Sequence, residues 1–243
     1  MTPHLSRSVW GLALALTGCS TMHVPPPANL DAPLPPDAAA AGGMDVNVGA
    51  QTFYYYPLAF HLRGAKALPM GETPLALELG GNVGVGWVGI NPALHWLPAP
   101  RPGSDWRFGG RLGLQAGAGD LLGEVPFADP FLGASLQGQA SRVWDDGGAI
   151  TAALGWGYTA HTRCMGGCSF DEPGSDPQDP GPAGHSYLPY NAPGLHLRAD
   201  LPAGDGYAAT LMLGAQPLIS RGDVLPIFEL GVGIHHHDPG PRW

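Results

Sequence analysis

The stretch Arg107-Phe108-Gly109-Gly110-Arg111-Leu112-Gly113-Leu114-Gln115-Ala116 decides the fold. Phe108, Gly110, Leu112, Leu114 and Ala116 fall on one face, and Arg107, Gly109, Arg111, Gly113 and Gln115 on the other. That period of two belongs to a β-strand, whose successive side chains point to opposite sides. The pattern recurs from Leu132 and again from Ile150, where Ile150, Ala152, Leu154, Trp156 and Tyr158 oppose Thr151, Gly155, Gly157 and Thr159. Leu195, Leu197, Ala199 and Leu201 alternate with His196, Arg198 and Asp200; Phe228, Leu230, Val232 and Ile234 alternate with Glu229, Gly231 and Gly233. No segment beyond the N-terminal leader carries a helical period of 3.6, so the chain reads as all-β.

The strands fall at 44–54, 58–66, 74–84, 86–97, 106–117, 130–143, 148–161, 193–201, 207–217 and 225–235. The second is the weakest, and the third and fourth could be one long bent strand, so eight to ten strands are expected, in an antiparallel up-and-down β-barrel. Most match the ~9–11 residues that a tilted strand needs to cross a bilayer. Composition points the same way. Charged residues are 13% of the 243-residue chain, about half the usual share of a soluble domain, while 44% are hydrophobic. A lipid-facing barrel needs an apolar outside and a modestly polar inside, whereas a soluble β domain would put many more Lys, Glu and Thr on its wet face. Deep in strand bodies, only Glu78, Asp200 and Glu229 read as acids. The net charge of −9, with Lys66 the sole lysine, leaves no basic surface for nucleic acid.

The N-terminus carries an address. One basic residue, Arg7, precedes an apolar run from Val9 that ends in Leu16-Thr17-Gly18-Cys19. The run is far shorter than the ~20 residues of a spanning helix and reads as a cleavable export signal over residues 1–18. Its ending resembles the lipobox of bacterial lipoproteins. That resemblance implies that Cys19 becomes the first mature residue, bears acyl chains, and holds the protein to membrane lipid. Ser20 stands where many inner-membrane lipoproteins carry Asp, which implies the outer membrane and a periplasmic N-terminus. Residues 19–43, rich in Pro and Ala, read as a disordered tether of extended polyproline character. The barrel domain is then expected over 44–243, with a long loop at 162–192. Across residues 44–235 the pattern resembles small outer-membrane β-barrels.

With the N-terminus on one side, the tight turns Trp144-Asp145-Asp146-Gly147 and Pro202-Ala203-Gly204-Asp205-Gly206 fall on that same side and the long loop on the other, as in outer-membrane barrels. Trp87, Trp96, Trp106, Trp144 and Trp156 and the run Tyr54-Tyr55-Tyr56 sit near strand ends, where aromatic girdles belong. Glu78, Arg107, Arg111, Gln137, Gln139, Arg198 and Glu229 share the polar faces of their strands and form the expected interior cluster, paired because an unpaired buried charge is costly. In an exported protein Cys164 and Cys168 are expected to form a disulfide. A zinc site from His161, Cys164, Cys168 and His185 matches no strong ligand spacing. His235-His236-His237 read as a solvated strand end.

No catalytic fingerprint occurs: there is no GxSxG elbow, HExxH, P-loop or dinucleotide motif. His185-Ser186 is similar to the His and Ser of lipid-modifying barrels, but adjacent residues on a strand face opposite ways and cannot pair as nucleophile and base. The expected role is structural or surface-binding, without catalysis, cofactor or metal. The competing reading is a soluble periplasmic barrel or sandwich, held by its lipid and binding a small apolar ligand or a protein.

Overall fold

The computed structural model describes residues 34–41, 43–51, 59–68, 75–84, 87–98, 102–119, 129–164, 185–220 and 223–237. They form a short helix, α1 (Pro36–Ala41), and ten strands: β1 (Gly43–Gln51), β2 (Ala59–Leu68), β3 (Leu75–Gly84), β4 (Trp87–Trp96), β5 (Trp106–Gly119), β6 (Asp129–Val143), β7 (Ala149–Cys164), β8 (His185–Gly204), β9 (Tyr207–Ser220) and β10 (Asp223–His237). Consecutive strands pair antiparallel and β1 pairs with β10, so the sheet is a closed up-and-down barrel without a free edge. The expected all-β barrel is therefore the fold, with ten strands; β3 and β4 are separate.

The ladder fixes the shape. From Val46, successive partners run through Leu62, Gly81, Ile90, Ala116, Leu132 and Ala160 to Pro189 on β8. In the other direction Ile234 and Ala209 lead to Leu201 on the same strand. The two arrivals differ by 12 residues (201 minus 189), and that stagger over ten strands tilts them roughly 40° to the axis. At ~3.3 Å per residue, the outward apolar row from Ile150 to Ala160 then rises about 25 Å along the axis, the height of a bilayer's apolar band.

Alternation sorts side chains strictly by face. Leu79, Leu112, Leu132, Leu136, Leu154, Leu213 and Val232 point outward, with Leu154 68% exposed. Asn47, Arg63, Glu78, Arg111, Gln137 and Arg198 point inward and are buried. This inverts a soluble barrel. Trp96, Trp106, Trp144 and Tyr207 stand outward near the end where β1 begins, here the proximal end, together with Lys66 and Arg142. Toward the distal end, Phe60, Trp156, Tyr158 and Phe228 stand outward, and Trp156 Nε1 donates to Asn191 Oδ1 at 3.2 Å. Trp87 departs from the expected girdle: it faces inward and is wholly buried, because its place at the start of β4 puts it on the lumen parity. Tyr54, Tyr55 and Tyr56 lie outside the described residues.

Both expected tight turns are proximal. Gly147 N donates to the Trp144 carbonyl at 3.0 Å, and Gly204, Asp205 and Gly206 all take positive φ between β8 and β9. The expected long loop is shorter than 162–192, because β7 continues to Cys164 and β8 begins at His185. The connection 165–184 is distal, but so are the brief connections 85–86 and 221–222, so the length asymmetry rests on part of the distal end.

The stretch expected to be tether ends in structure. Leu34, Pro35 and Pro36 are buried, and residues 36–41 are helical against the proximal mouth. Pro36 is suited to the first helical position, Asp37 to the first turn, and the Ala run is the best helix-forming sequence available. Leu34 and Ala39 pack with Ala65, Ala76 and Leu97 into an apolar layer that closes this end.

Lumen glycines make room for large neighbours. A Cβ on Gly233 would run into the Val46 carbonyl and the Asn47 amide, whereas one on outward Gly138 would meet nothing. Gly233→Ala is therefore expected to lower stability by about 1–3 kcal/mol while Gly138→Ala leaves it nearly unchanged, as read from urea unfolding of the detergent-solubilised barrel.

Candidate functional site

The lumen is the densest collection of polar chemistry in the molecule, and its centre is Asp45. It is fully buried on β1, accepts from Arg63 Nε at 2.8 Å, and accepts from Arg198 Nη1 and Nη2 at 3.0 and 3.1 Å. Arg198 also grips Asp200, with Nε 2.9 Å from both oxygens and Nη2 at 2.7 Å. Asn47 donates to Asp45 and accepts from Thr210 Oγ1 at 2.7 Å, carrying the network to β9. Two Arg and two Asp thus balance while tying β1, β2 and β8 together across the lumen. In a low-dielectric interior such pairing is required, because either sign alone would be prohibitive.

A second group joins β3, β4 and β5. Arg111 donates to Glu78 Oε1 from Nε at 3.2 Å and Nη2 at 2.7 Å, and His95 Nε2 lies 2.8 Å from Glu78 Oε2. Arg111 also reaches Gln137 Oε1 at 3.5 Å. Gly113 supplies the space, since a Cβ there would come 3.0 Å from Arg111 Nη1 and 2.7 Å from Ser135 Oγ. A third group lies on β8, β9 and β10. Gln216 donates to Glu229, and His196 Nδ1 is 3.7 Å from Glu229 Oε2. Distal to these groups, Trp87, Phe131, Tyr190, Ala192, Leu218 and Ile227 form a buried apolar layer inside the barrel. The lumen is accordingly a stack: an apolar base, a charged middle, and an aromatic-rich lid.

No protein-family model matches the chain, and no curated protein matches it. Among solved structures, the barrel is similar to the KdgM porin in complex with disordered oligogalacturonate, at 10% identity and a TM-score of 0.36, covering 80% of this chain and 98% of the porin. It is similar to the outer membrane protein Ail of Yersinia pestis in a phospholipid bilayer nanodisc, at 9% identity and a TM-score of 0.33, covering 80% of this chain and 99% of Ail. BamA from Haemophilus ducreyi, lacking POTRA domains 1–3, matches at 13% identity and a TM-score of 0.37, over 73% of this chain and 34% of that one. With TM-scores this low, the barrel's own surface and lumen bear on its role, and the likenesses do not.

The lumen brings together most of the expected cluster. Glu78, Arg111 and Gln137 form one group, Arg198 anchors another, and Glu229 a third. Gln139 turns toward the base, donating to the Leu34 carbonyl at 3.0 Å. Arg107 shares the inward parity but lies at the proximal rim, where Nε donates to both Asp37 oxygens at 3.1 Å and both side chains are partly exposed. Sequence reasoning missed Asp45, Arg63 and His95. Asp45 stands third in β1 and so looked like an end residue, but the barrel's stagger sets it deep in the lumen. Alternation with Met44, Val46 and Val48 was the available signal. His235 also departs from the solvated strand end expected of it, because inward parity buries it; His236 is partly exposed, its ring 4.6 Å from that of Tyr207.

Cys19 and Cys168 lie outside the described residues, and with them the acylation and the Cys164–Cys168 disulfide. Of the metal-ligand set weighed above, Cys164 and His185 are ladder partners. Among the described residues, no three His, Cys, Asp or Glu side chains are grouped as a metal site requires.

The charged middle layer gives a ranking. Arg198→Ala leaves Asp200 without its bidentate partner and Asp45 with one Arg, and is expected to lower stability by about 3–5 kcal/mol. Arg107→Ala removes the solvent-screened rim pair with Asp37 and donations to the Ser104 and Trp106 carbonyls at the same partly exposed rim, and should shift it by less than about 1 kcal/mol. Urea midpoints of the two variants, measured side by side, check the order.

Proposed function

We propose that this chain is an integral outer-membrane β-barrel with a closed lumen, anchored a second time by acyl chains on Cys19, and that its role is structural or surface-binding rather than catalytic. The observation that carries this is the inversion of its faces. A continuous outward belt of Leu, Val, Ile, Phe and Trp surrounds a lumen that holds the buried ions. A patch of that size on a soluble protein would drive aggregation, whereas in lipid it is the required surface. Trp96, Trp106, Trp144 and Tyr207, with Lys66 and Arg142 beside them, support one membrane–water boundary at the proximal end. The lipid-anchored soluble reading has no comparable support, since its exposed face would have to be polar.

A closed lumen argues against solute passage. The Asp45–Arg198–Asp200 and Glu78–Arg111 pairs cross its middle, between the apolar base and the lid. Binding is then the task of surface parts, and the distal connections, including 120–128 and 165–184, are where partners would meet the protein. The lipobox resemblance supports a periplasmic proximal end, which puts those connections at the cell surface.

Cys19→Ser tests the reading. The unacylated protein is expected to stay in the membrane pellet after alkaline carbonate washing; release as soluble protein would mean the lipid was its only anchor. In planar bilayers the purified wild-type barrel should give no steady ion conductance, and stable ohmic steps would refute the closed lumen.

A further inference from the structure

Between the apolar base and the lid, the charges of the lumen do not cancel. Among the described residues, the acids facing inward there are Asp45, Glu78, Asp200 and Glu229, against Arg63, Arg111 and Arg198. Four acids against three arginines leave one negative charge. Arginine holds Asp45, Glu78 and Asp200. Beside Glu229 stand the Gln216 amide and the imidazole of His196, whose Nδ1 is 3.7 Å from Oε2. A surplus charge is costly in so enclosed a space.

The layer directly beneath the lid also holds oxygen atoms without hydrogen-bond partners: Asn82 Oδ1, Asn91 Oδ1, Gln115 Oε1 and Ser135 Oγ. Asn82, Gln115 and Ser135 are each only 3% exposed. The four side chains come from four consecutive strands, β3 to β6, and the β4–β5 register sets Asn91 level with Gln115. Two glycines show which way the outer pair leans. A Cβ on Gly89 would come 2.6 Å from Asn82 Oδ1, and one on Gly113 would come 2.7 Å from Ser135 Oγ. Both oxygens therefore reach over β4 and β5, the strands that carry Asn91 and Gln115. Glu229 belongs to the same layer. It is the next inward residue below Ile227, as Gly89 and Asn91 follow Trp87.

We propose that this layer binds one monovalent metal cation, sodium or potassium, with Asn82, Asn91, Gln115 and Ser135 supplying oxygen ligands and Glu229 the balancing charge. Buried oxygens left unmatched each cost stability, and a cation satisfies several at once. Neutral amide and hydroxyl oxygens suit a hard, singly charged ion, as carbonyl oxygens do in potassium filters. A divalent ion would overshoot the single surplus charge and ordinarily takes carboxylate ligands. An anion would add to the surplus. The ion is bound rather than in transit, so the site rests on the closed lumen proposed above.

The test refolds the full-length barrel from urea in radiolabelled sodium chloride and desalts it into choline chloride of equal ionic strength. The label kept by the folded protein is then counted. A parallel arm uses radiolabelled rubidium in place of potassium. About one ion per barrel is expected in at least one arm, matching the single surplus charge. Glu229→Gln removes that charge and Gln115→Met removes a ligand, and each should retain about ten-fold less label. Outward Gly138→Ala should retain all of it. Circular dichroism shows which variants have folded; should the first two fail, Ser135→Ala is expected to lose label in the same way. A folded wild-type barrel that keeps neither ion would overturn the site and leave a His196 imidazolium as the balancing charge. Label that the folded variants do not reduce would also overturn it, since the ion would then lie elsewhere. Bilayer conductance fails the closed lumen on its own, whatever this count shows.

Discussion

Asp45 between Arg63 and Arg198 is the interaction on which the rest of the lumen depends. It joins the first two strands to the eighth, across the space enclosed when β1 meets β10. A wall that faces hydrocarbon outside must turn its polar residues inward, and an enclosed carboxylate survives only if cations reach it with good geometry. Arg suits that task because its planar fork can hold two carboxylates at once, as Arg198 does with Asp45 and Asp200. The stagger of the sheet, rather than nearness in sequence, brings these groups to one level.

The glycines follow from the same constraint. Guanidinium and amide side chains need volume that a ten-strand lumen lined with full-sized residues would not leave. Gly113 makes room beside Arg111, Gly155 beside Gln137, and Gly214 beside Glu229 and His196. Each large polar side chain thus lies over a position without a side chain. This is how a glycine-rich chain, whose composition alone suggests low complexity, instead packs a dense interior.

Much of the fold was legible because alternation is a local property. Residues 106–117 and 130–143 announce their faces without reference to any other strand, and the low charge of those faces announces what lies outside. Closure is not local. Whether Asp45 lies at a rim or in the middle depends on how far β1 is staggered against β2 and β10, and no single strand records that. Trp87 and His235 were misread for the same reason: a strand end in sequence need not be a barrel end in space. Arg107 errs in the other direction, with lumen parity but a place at the rim. The helix at 36–41 was hidden differently. Its Pro and Ala composition suits an extended spacer as well as a helix, and the proximal mouth, which buries Leu34 and Ala39, decides between them.

The prolines show what a closed barrel can tolerate. In an open sheet, proline is confined to edges, but a barrel has none, so each proline must remove a bond from the wall. Pro193 and Pro217 stand at one level of β8 and β9, and Pro92 lies in a second gap of the ladder, between β4 and β5; each withholds an N–H and so leaves a carbonyl, not an N–H, short of its ladder donor. An unmatched carbonyl is the more readily tolerated of the two in a folded protein. Prolines on different strands thus interrupt different seams, and none of them opens an edge, because the ladder resumes on both sides of each gap.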